Sequence, residues 1–367
     1  MLKKIFLFMI CFNIFLTNEI LAKEIMIKDV LGREVKVNLP AKRIIIAFYF
    51  PDFLAVGGKN AFDNVVAISK DSWANYMPQN YELFSSIIPK IKTLDDIGDP
   101  QFGTFSAEKV IALKPDLLIL ADWQYDMIKD NLSLIEKVGI PIVVISYNKE
   151  TLEQHRLSTQ ILGQLLNQKQ RANEIIDFYE SKIKYIQEKI AKANLPKPKI
   201  YIELGNKGPK ENSFTFGNDM WGSLANLVGG ENIAQNLVQK WGVISAEQVL
   251  ASKPDVIVIS GRENELNKNK EAMVMGIGID EKEALKRLEG FKQREGYTAL
   301  PAIQNHRLYG FYNHLTRTLS DVAGAEFLAK ALYPDLFKDL NPNQTYKEFH
   351  EKFMPAVPKG TFGIQAN

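Results

Sequence analysis

Two stretches of the chain carry the same alternation of polar and apolar positions. Residues 105–120 read FSAEKVIALKPDLLIL and residues 244–259 read ISAEQVLASKPDVIVI, identical at half of their positions. In each, a serine (Ser106, Ser245) stands where a helix N-cap belongs, and a glutamate (Glu108, Glu247) falls in the first turn, near the positive end of the helix dipole. The helix must end before Pro115 and Pro254, because the residue ahead of a proline is biased out of the helical region. An unbroken apolar run then follows, Leu117–Leu120 and Val256–Ile259. Runs apolar at every position suit a parallel strand covered on both faces. The offset between the copies is far too long for a solenoid period, so the pattern predicts two similar α/β lobes.

Other segments extend this picture. Arg43–Phe48, Ile140–Ser146 and Lys199–Leu204 are further apolar strand candidates, and Glu24–Val37 alternates around Leu31-Gly32 as a hairpin would. From Leu152 to Ala193 there is no proline and only one glycine, Gly163, and apolar residues recur at helical spacing. At ~1.5 Å per residue, thirty such residues span ~45 Å. The expected architecture is α/β: two similar lobes, each a mostly parallel sheet flanked by helices, joined by one long α-helix. The boundaries are an N-terminal lobe at 23–150, a linker helix at 151–195 and a C-terminal lobe at 196–340. A C-terminal helix and tail at 341–367 receive no role.

Composition adds exclusions. Lys+Arg 45 against Asp+Glu 43 leaves a net charge of +2 over 367 residues, so nothing electrostatic points to nucleic acid. The one cysteine, Cys11, excludes an intrachain disulfide and a Cys-based zinc or iron–sulfur site. Lys3 and Lys4, the apolar stretch Ile5–Leu16 and Ala22 form the pattern of a cleavable secretory signal at 1–22. Cys11 follows Phe8-Met9-Ile10, without the small residue that a lipidated cysteine wants just before it. The expectation is export to a bacterial periplasm without a lipid anchor.

The opening IKDVLGREVKVNLPAKRII, the paired SAE…KPD segments and the helix between them resemble the periplasmic substrate-binding proteins of the helical-backbone class. These serve ABC importers for iron–siderophore complexes, haem, vitamin B12 and some metal or oxyanion cargo. The resemblance covers nearly the whole chain after the signal. It implies a monomeric binding protein with no cofactor of its own, an inner-membrane permease as partner, and capture in a cleft between the lobes. It further implies that one acidic residue on the first helix of each repeat docks to permease arginines. By motif position these are Glu108 and Glu247.

In such lobes ligands bind beyond the carboxyl ends of the strands. The residues there are Tyr49 after the first strand, Trp73 and Tyr76 in an aromatic-rich loop, Trp123 and Tyr125 after Leu120, Trp221 in the second lobe, Arg262 after Ile259, and Tyr312, His314 and Arg317 after another short strand. Arginines would neutralise an anionic ligand and aromatics would supply contact area. Of these, Tyr49, Trp73, Tyr76, Trp123, Tyr125, Trp221, Arg262, His314 and Arg317 form the predicted ligand-binding set. His314 is the expected direct metal contact, with Tyr49 or Tyr312 as a phenolate oxygen. His155, His306 and His350 have no partner at metal-binding spacing, and no HExxH is present.

No GxSxG, P-loop or GxGxxG stands in a productive context, so an enzyme is not expected. The expected cargo is a ferric siderophore-like chelate. Haem, cobalamin, a nickel or cobalt chelate and a molybdate-type oxyanion are the alternatives, and a two-lobed metal chelatase is the alternative of another class.

Overall fold

The unbroken apolar runs become strands buried on both faces in the computed structural model, which describes residues 23–367. The predicted signal segment and Cys11 lie outside the described residues. In the first lobe Asp95–Asp96, Val65–Ile68, Ile44–Ile46, Leu117–Ala121 and Ile142–Ile145 lie side by side in that order, all parallel. The centre of the second sheet is Lys199–Leu204, Val256–Gly261 and Leu308–Tyr312, also parallel. Thr215–Phe216 and Trp241–Gly242 extend it antiparallel on one side and Gly363–Gln365 on the other. Parallel neighbours need crossovers, usually helices, and these keep both sheet faces dry.

The repeat has a visible structural purpose. Ser106 Oγ accepts the Lys109 amide and Ser245 Oγ the Gln248 amide, each at 3.2 Å, capping the helices Ala107–Ala112 and Ala246–Ser252. Lys114 and Lys253 both then turn through the left-handed region at φ 47°. The aspartates that follow tie each new strand to its neighbour. Asp116 accepts the amides of Lys42 (2.7 Å) and Arg43 (3.0 Å), and Asp255 accepts that of Lys199 (2.8 Å). The motif therefore sets where two adjacent parallel strands begin.

The N-terminal hairpin pairs Lys23–Lys28 with Glu34–Leu39. Asp29 at its turn accepts the Arg33 side chain and the Val144 amide, and Arg33 reaches the Ile142 carbonyl at 3.0 Å, so the hairpin is bolted to the edge strand. In the second lobe the Arg294 guanidinium is buried, donating to both oxygens of Glu203 (2.6 and 2.9 Å) and to Tyr297.

The segment between the lobes holds two helices. Leu152–Leu165 packs on the first lobe, through Ile161, Leu162 and Leu165. The chain turns at Leu166-Asn167-Gln168, with Asn167 at φ 53°. The single long helix that joins the lobes is Lys169–Ala193, 25 residues and about 37 Å. Its Ala172 and Ile175 sit in the first core, and Tyr179, Ile183 and Ile186 in the second. Gly163 has a packing reason: a Cβ there would stand 2.6 Å from Ala172 Cβ, so the two helices approach only because that side chain is missing.

The C-terminal segment, left without a role by the sequence, binds the halves together. Helix Pro342–Phe353 places Tyr346 in the second core and Phe349 and Phe353 in the first. Phe353 lies 5.7 Å from the Phe178 ring of the joining helix, and its carbonyl accepts from Arg171 at 2.9 Å. Gly360–Thr361 then pairs with Gly276–Ile277, before Gly363–Gln365 joins the sheet.

Candidate functional site: the interlobe cleft

The carboxyl ends of both sheets meet across a cleft, and the loops after the strands fill it. The second lobe contributes Arg262, directly after Val256–Gly261, and His314 and Arg317, directly after Leu308–Tyr312. The first lobe contributes Phe48 after Ile44–Ile46, Tyr76 at the end of the irregular helical turn Asp71–Asn75, and Trp123 after Leu117–Ala121.

Tyr76 is the centre of this arrangement. Arg317 Nη2 donates to its hydroxyl at 3.2 Å, from the opposite lobe. The guanidinium carbons of Arg262 and Arg317 lie 5.5 and 5.7 Å from its ring centroid, and the His314 ring meets it edge-on at 5.1 Å. Arg317 also covers the Phe48 ring at 5.4 Å, which in turn meets Trp123 edge-on at 5.1 Å. Arg262 is partly neutralised by Glu265 at 3.0 Å. Among the described residues, no carboxylate pairs with the Arg317 guanidinium. Arg317 sits at φ 61°, a conformation that costs a non-glycine residue about 1–3 kcal/mol. The Glu150 carboxylate, which accepts the Arg317 amide at 2.7 Å, helps hold that turn.

The charges tune the donors. Burial raises the Tyr76 hydroxyl, but Arg317 and Arg262 outweigh it and hold the group below its ordinary value. Burial, with the same two arginines, pushes His314 well below its usual range. His314 is therefore a neutral imidazole at physiological pH, and its Nε2 is buried without a hydrogen-bond partner. A phenol held below its ordinary value and a free imidazole nitrogen thus lie beside two cations.

Tyr49 and Tyr312, the two positions expected to offer a phenolate oxygen, both have their hydroxyls engaged within the protein. The Tyr49 hydroxyl donates to Asn148 Oδ1 at 3.0 Å and that of Tyr312 to Glu263 Oε1 at 2.9 Å. Burial raises both well above the ordinary tyrosine value. Three other predicted cleft residues lie elsewhere. Trp73 is fully buried in the first core, stacked on Phe50 at 4.6 Å, with its indole donating to Asn80. Trp221 is fully buried in the second core, 5.8 Å from Phe311. Tyr125 sits under the hairpin, covered by Arg33 at 4.3 Å. Each fills space between a sheet and its covering layer, where large apolar area stabilises the lobe itself. Phe48, missed from the sequence, is signalled only by its place one residue before Tyr49.

A partly open cavity of about 40 Å³ lies at this junction, lined by Phe48, Tyr49, Asp52, Tyr312, His314 and Arg317, among others. A small-molecule pocket takes roughly 300–1,000 Å³, so a chelate enters only when the lobes part. Glu108 and Glu247 lie on the outside, exposed in the first turns of their helices, and among the described residues neither has an ion-pair partner.

Comparison with known proteins agrees with this geometry. The periplasmic binding protein family profile matches residues 48–313. An uncharacterised ABC transporter substrate-binding lipoprotein of Bacillus subtilis, YvrC, is 24% identical over 254 residues, covering 68% of this chain and 71% of that protein. A vitamin B12-binding protein of Yersinia pestis is 26% identical over 163 residues, 44% of this chain; the match spans only 55% of that relative's own length. Among solved structures, the TroA-like periplasmic binding protein FepB of Veillonella parvula superimposes with a TM-score of 0.86 at 31% identity, over 94% of this chain and 100% of that one. The molybdate-binding MolA of Haemophilus influenzae gives 0.67 at 17% identity, over 92% and 99%, a likeness of fold alone. The two lobes, the single joining helix and the cleft at the strand ends are thus those of a transport component rather than an enzyme, and the chain belongs to the periplasmic binding protein family, as a substrate-binding protein of an ABC importer.

Proposed function

We propose that the cleft captures an anionic ferric chelate of the siderophore kind and delivers it to an inner-membrane permease. The observation that carries this is the pairing of Arg317 and Arg262 around Tyr76, beside the free His314 Nε2. Two cations match the negative charge of such a chelate. Tyr76 and His314 offer oxygen and nitrogen donors of the types that ferric iron accepts, and Phe48 and Trp123 offer a flat apolar wall. A charge-assisted contact is worth ~1.5–3 kcal/mol, so Arg317→Ala should weaken binding roughly 10- to 100-fold. Fluorescence titration of the mature protein with ferric catecholate and hydroxamate chelates, haem, cobalamin, nickel–histidine and molybdate tests this. Saturable binding to a ferric chelate that weakens in Arg317→Ala supports the reading. Binding to cobalamin or haem alone, unaffected by Arg317, refutes it.

A molybdate-type oxyanion is the second reading, favoured by the small size of the cavity and by Arg317 in its lining. In the same titration it predicts saturation by molybdate with no response to ferric chelates. On delivery, Glu108 and Glu247 serve as the permease-docking pair: one exposed carboxylate per lobe, at equivalent positions of the repeat. Charge reversal at both should abolish uptake in cells while leaving binding in solution unchanged. The protein is read as exported by its N-terminal signal and as working outside the cytoplasm as a monomer. The B. subtilis relative is a lipoprotein, so mass spectrometry of the membrane fraction decides between an anchored and a free form.

A further inference from the structure

Beneath the cleft, where the two lobes meet the first interlobe helix, three acid or imidazole side chains from distant parts of the chain converge. Glu150 lies in the turn before Leu152–Leu165, His155 is in that helix's first turn, and Asp321 opens the helix Asp321–Leu332 of the second lobe. Their donor atoms all lie within 4.8 Å of one another. His155 Nε2 is 2.9 Å from Asp321 Oδ2 and 3.5 Å from Glu150 Oε2. All three side chains are essentially sealed from solvent.

The way each is held matters more than the cluster itself. One oxygen of each carboxylate is fixed by the protein: Glu150 Oε1 accepts the Arg317 amide, and Asp321 Oδ2 accepts the Thr318 amide as well as the imidazole. The other oxygen, Glu150 Oε2 and Asp321 Oδ1, is buried with no hydrogen-bond partner among the described residues. Asp52, from the first lobe, repeats the pattern, with Oδ1 taking the Leu319 amide and the Thr318 hydroxyl and Oδ2 bare. The Tyr179 hydroxyl is also buried and unpartnered, and its ring stacks on His155 at 4.8 Å. Leaving one such group unsatisfied costs ~1–3 kcal/mol, more when it is charged. Glu150 is moreover at φ 51°, so the backbone is strained to present it.

We propose that Glu150, His155 and Asp321 form a binding site for a divalent first-row transition ion, Zn²⁺ or Mn²⁺, that joins the two lobes. Donors ~2.0–2.2 Å from a zinc centre stand roughly 3–3.5 Å from each other, and His155 Nε2 stands 2.9 and 3.5 Å from its two carboxyl neighbours. One imidazole nitrogen with carboxylate oxygens suits such an ion better than Ca²⁺ or Mg²⁺, which take oxygen donors. The ion would supply positive charge to a pocket holding three carboxyl groups and, among the described residues, no lysine or arginine ion-paired to them. The site shares no side chain with the cargo wall of Arg262, His314 and Arg317, and adjoins it through the Glu150 contact to the Arg317 amide.

The test uses the mature chain, stripped with a chelator and re-equilibrated with Zn²⁺ or Mn²⁺. Metal content after gel filtration is measured by mass spectrometry and thermal unfolding by calorimetry. The expected result is one equivalent of one of these ions per chain, with a raised Tm. That equivalent should be lost in His155→Gln and in Glu150→Gln, both checked for folding by circular dichroism, and kept in His314→Ala. Failure of the wild-type chain to retain a stoichiometric ion overturns the proposal, whatever the variants do. So does retention that survives both folded variants, or that disappears in His314→Ala.

Discussion

Glu263 gives the sharpest test of the electrostatics around the cleft. It follows Arg262, is 2% exposed, and accepts the Tyr312 hydroxyl through one oxygen while the other has no partner. Burial raises its carboxyl from 4.5 to about 7, against the opposing pull of the Tyr312 hydrogen bond and of Arg262. The folded chain therefore keeps this proton at pH values where the unfolded chain has released it. Stability falls as pH rises from 4.5 towards 7, and the full penalty is present above that window. A tenfold difference in proton affinity between the folded and unfolded chain is worth ~1.36 kcal/mol, so the penalty approaches about 3 kcal/mol. Glu263→Gln keeps an acceptor for Tyr312 and cannot ionise. It should be more stable than the parent by up to about 3 kcal/mol at about pH 8, with the gain shrinking through neutrality and vanishing near pH 4.5. Urea unfolding across this range, followed by circular dichroism, measures it. A difference that stays constant with pH, or grows towards acid, would show that burial does not control this carboxyl.

Three further outcomes follow from the packing. Gly163→Ala should destabilise, because overpacking against Ala172 costs ~1–3 kcal/mol and outweighs the ~1 kcal/mol helix preference for alanine. Adding Ala172→Gly should restore most of the melting temperature, and a Gly163→Ala chain as stable as the parent would refute the close approach. Glu203→Gln leaves the buried Arg294 without its carboxylate and should cost ~3–5 kcal/mol in chemical unfolding, a loss below about 1 kcal/mol contradicting the assignment. Phe349→Ala removes a 2%-exposed ring from the C-terminal helix and should cost ~3–5 kcal/mol by calorimetry, unless the helix contributes nothing to holding the lobes.

Much of the architecture was legible because it depends on local pattern. The two SAE…KPD copies, the continuous apolar strands and the hairpin each report their own environment. The placing of Arg262, His314 and Arg317 at the cleft was legible for a related reason: the carboxyl ends of parallel strands share one side of a sheet. Trp73 and Trp221 were not, since an aromatic beside a strand end has the same composition whether it faces the cleft or the core, and only packing decides. The break at Asn167 was hidden because apolar spacing continues through it, while the clue, Gly163, reads as a mere interruption. The weakening of the Tyr76 proton depends on two arginines from the other lobe, and the pairing of His155 with Asp321 spans 166 residues. Neither leaves a trace in local periodicity.

The small space left between the lobes carries a consequence for measured affinity. A junction with about 40 Å³ of free space is a state in which a bulky guest does not fit, so only the parted fraction of molecules is competent to bind. The apparent dissociation constant is the intrinsic one divided by that fraction. The hydrogen bond from Arg317 to Tyr76 then acts twice, as a recognition element and as a latch that sets how rarely the door stands open. Tyr76→Phe removes the latch and, with it, the phenol oxygen, so the two roles show in different rates: faster association reports the lost latch and faster release the lost contact, and association no faster than the parent's would refute an idle state that competes with its own cargo.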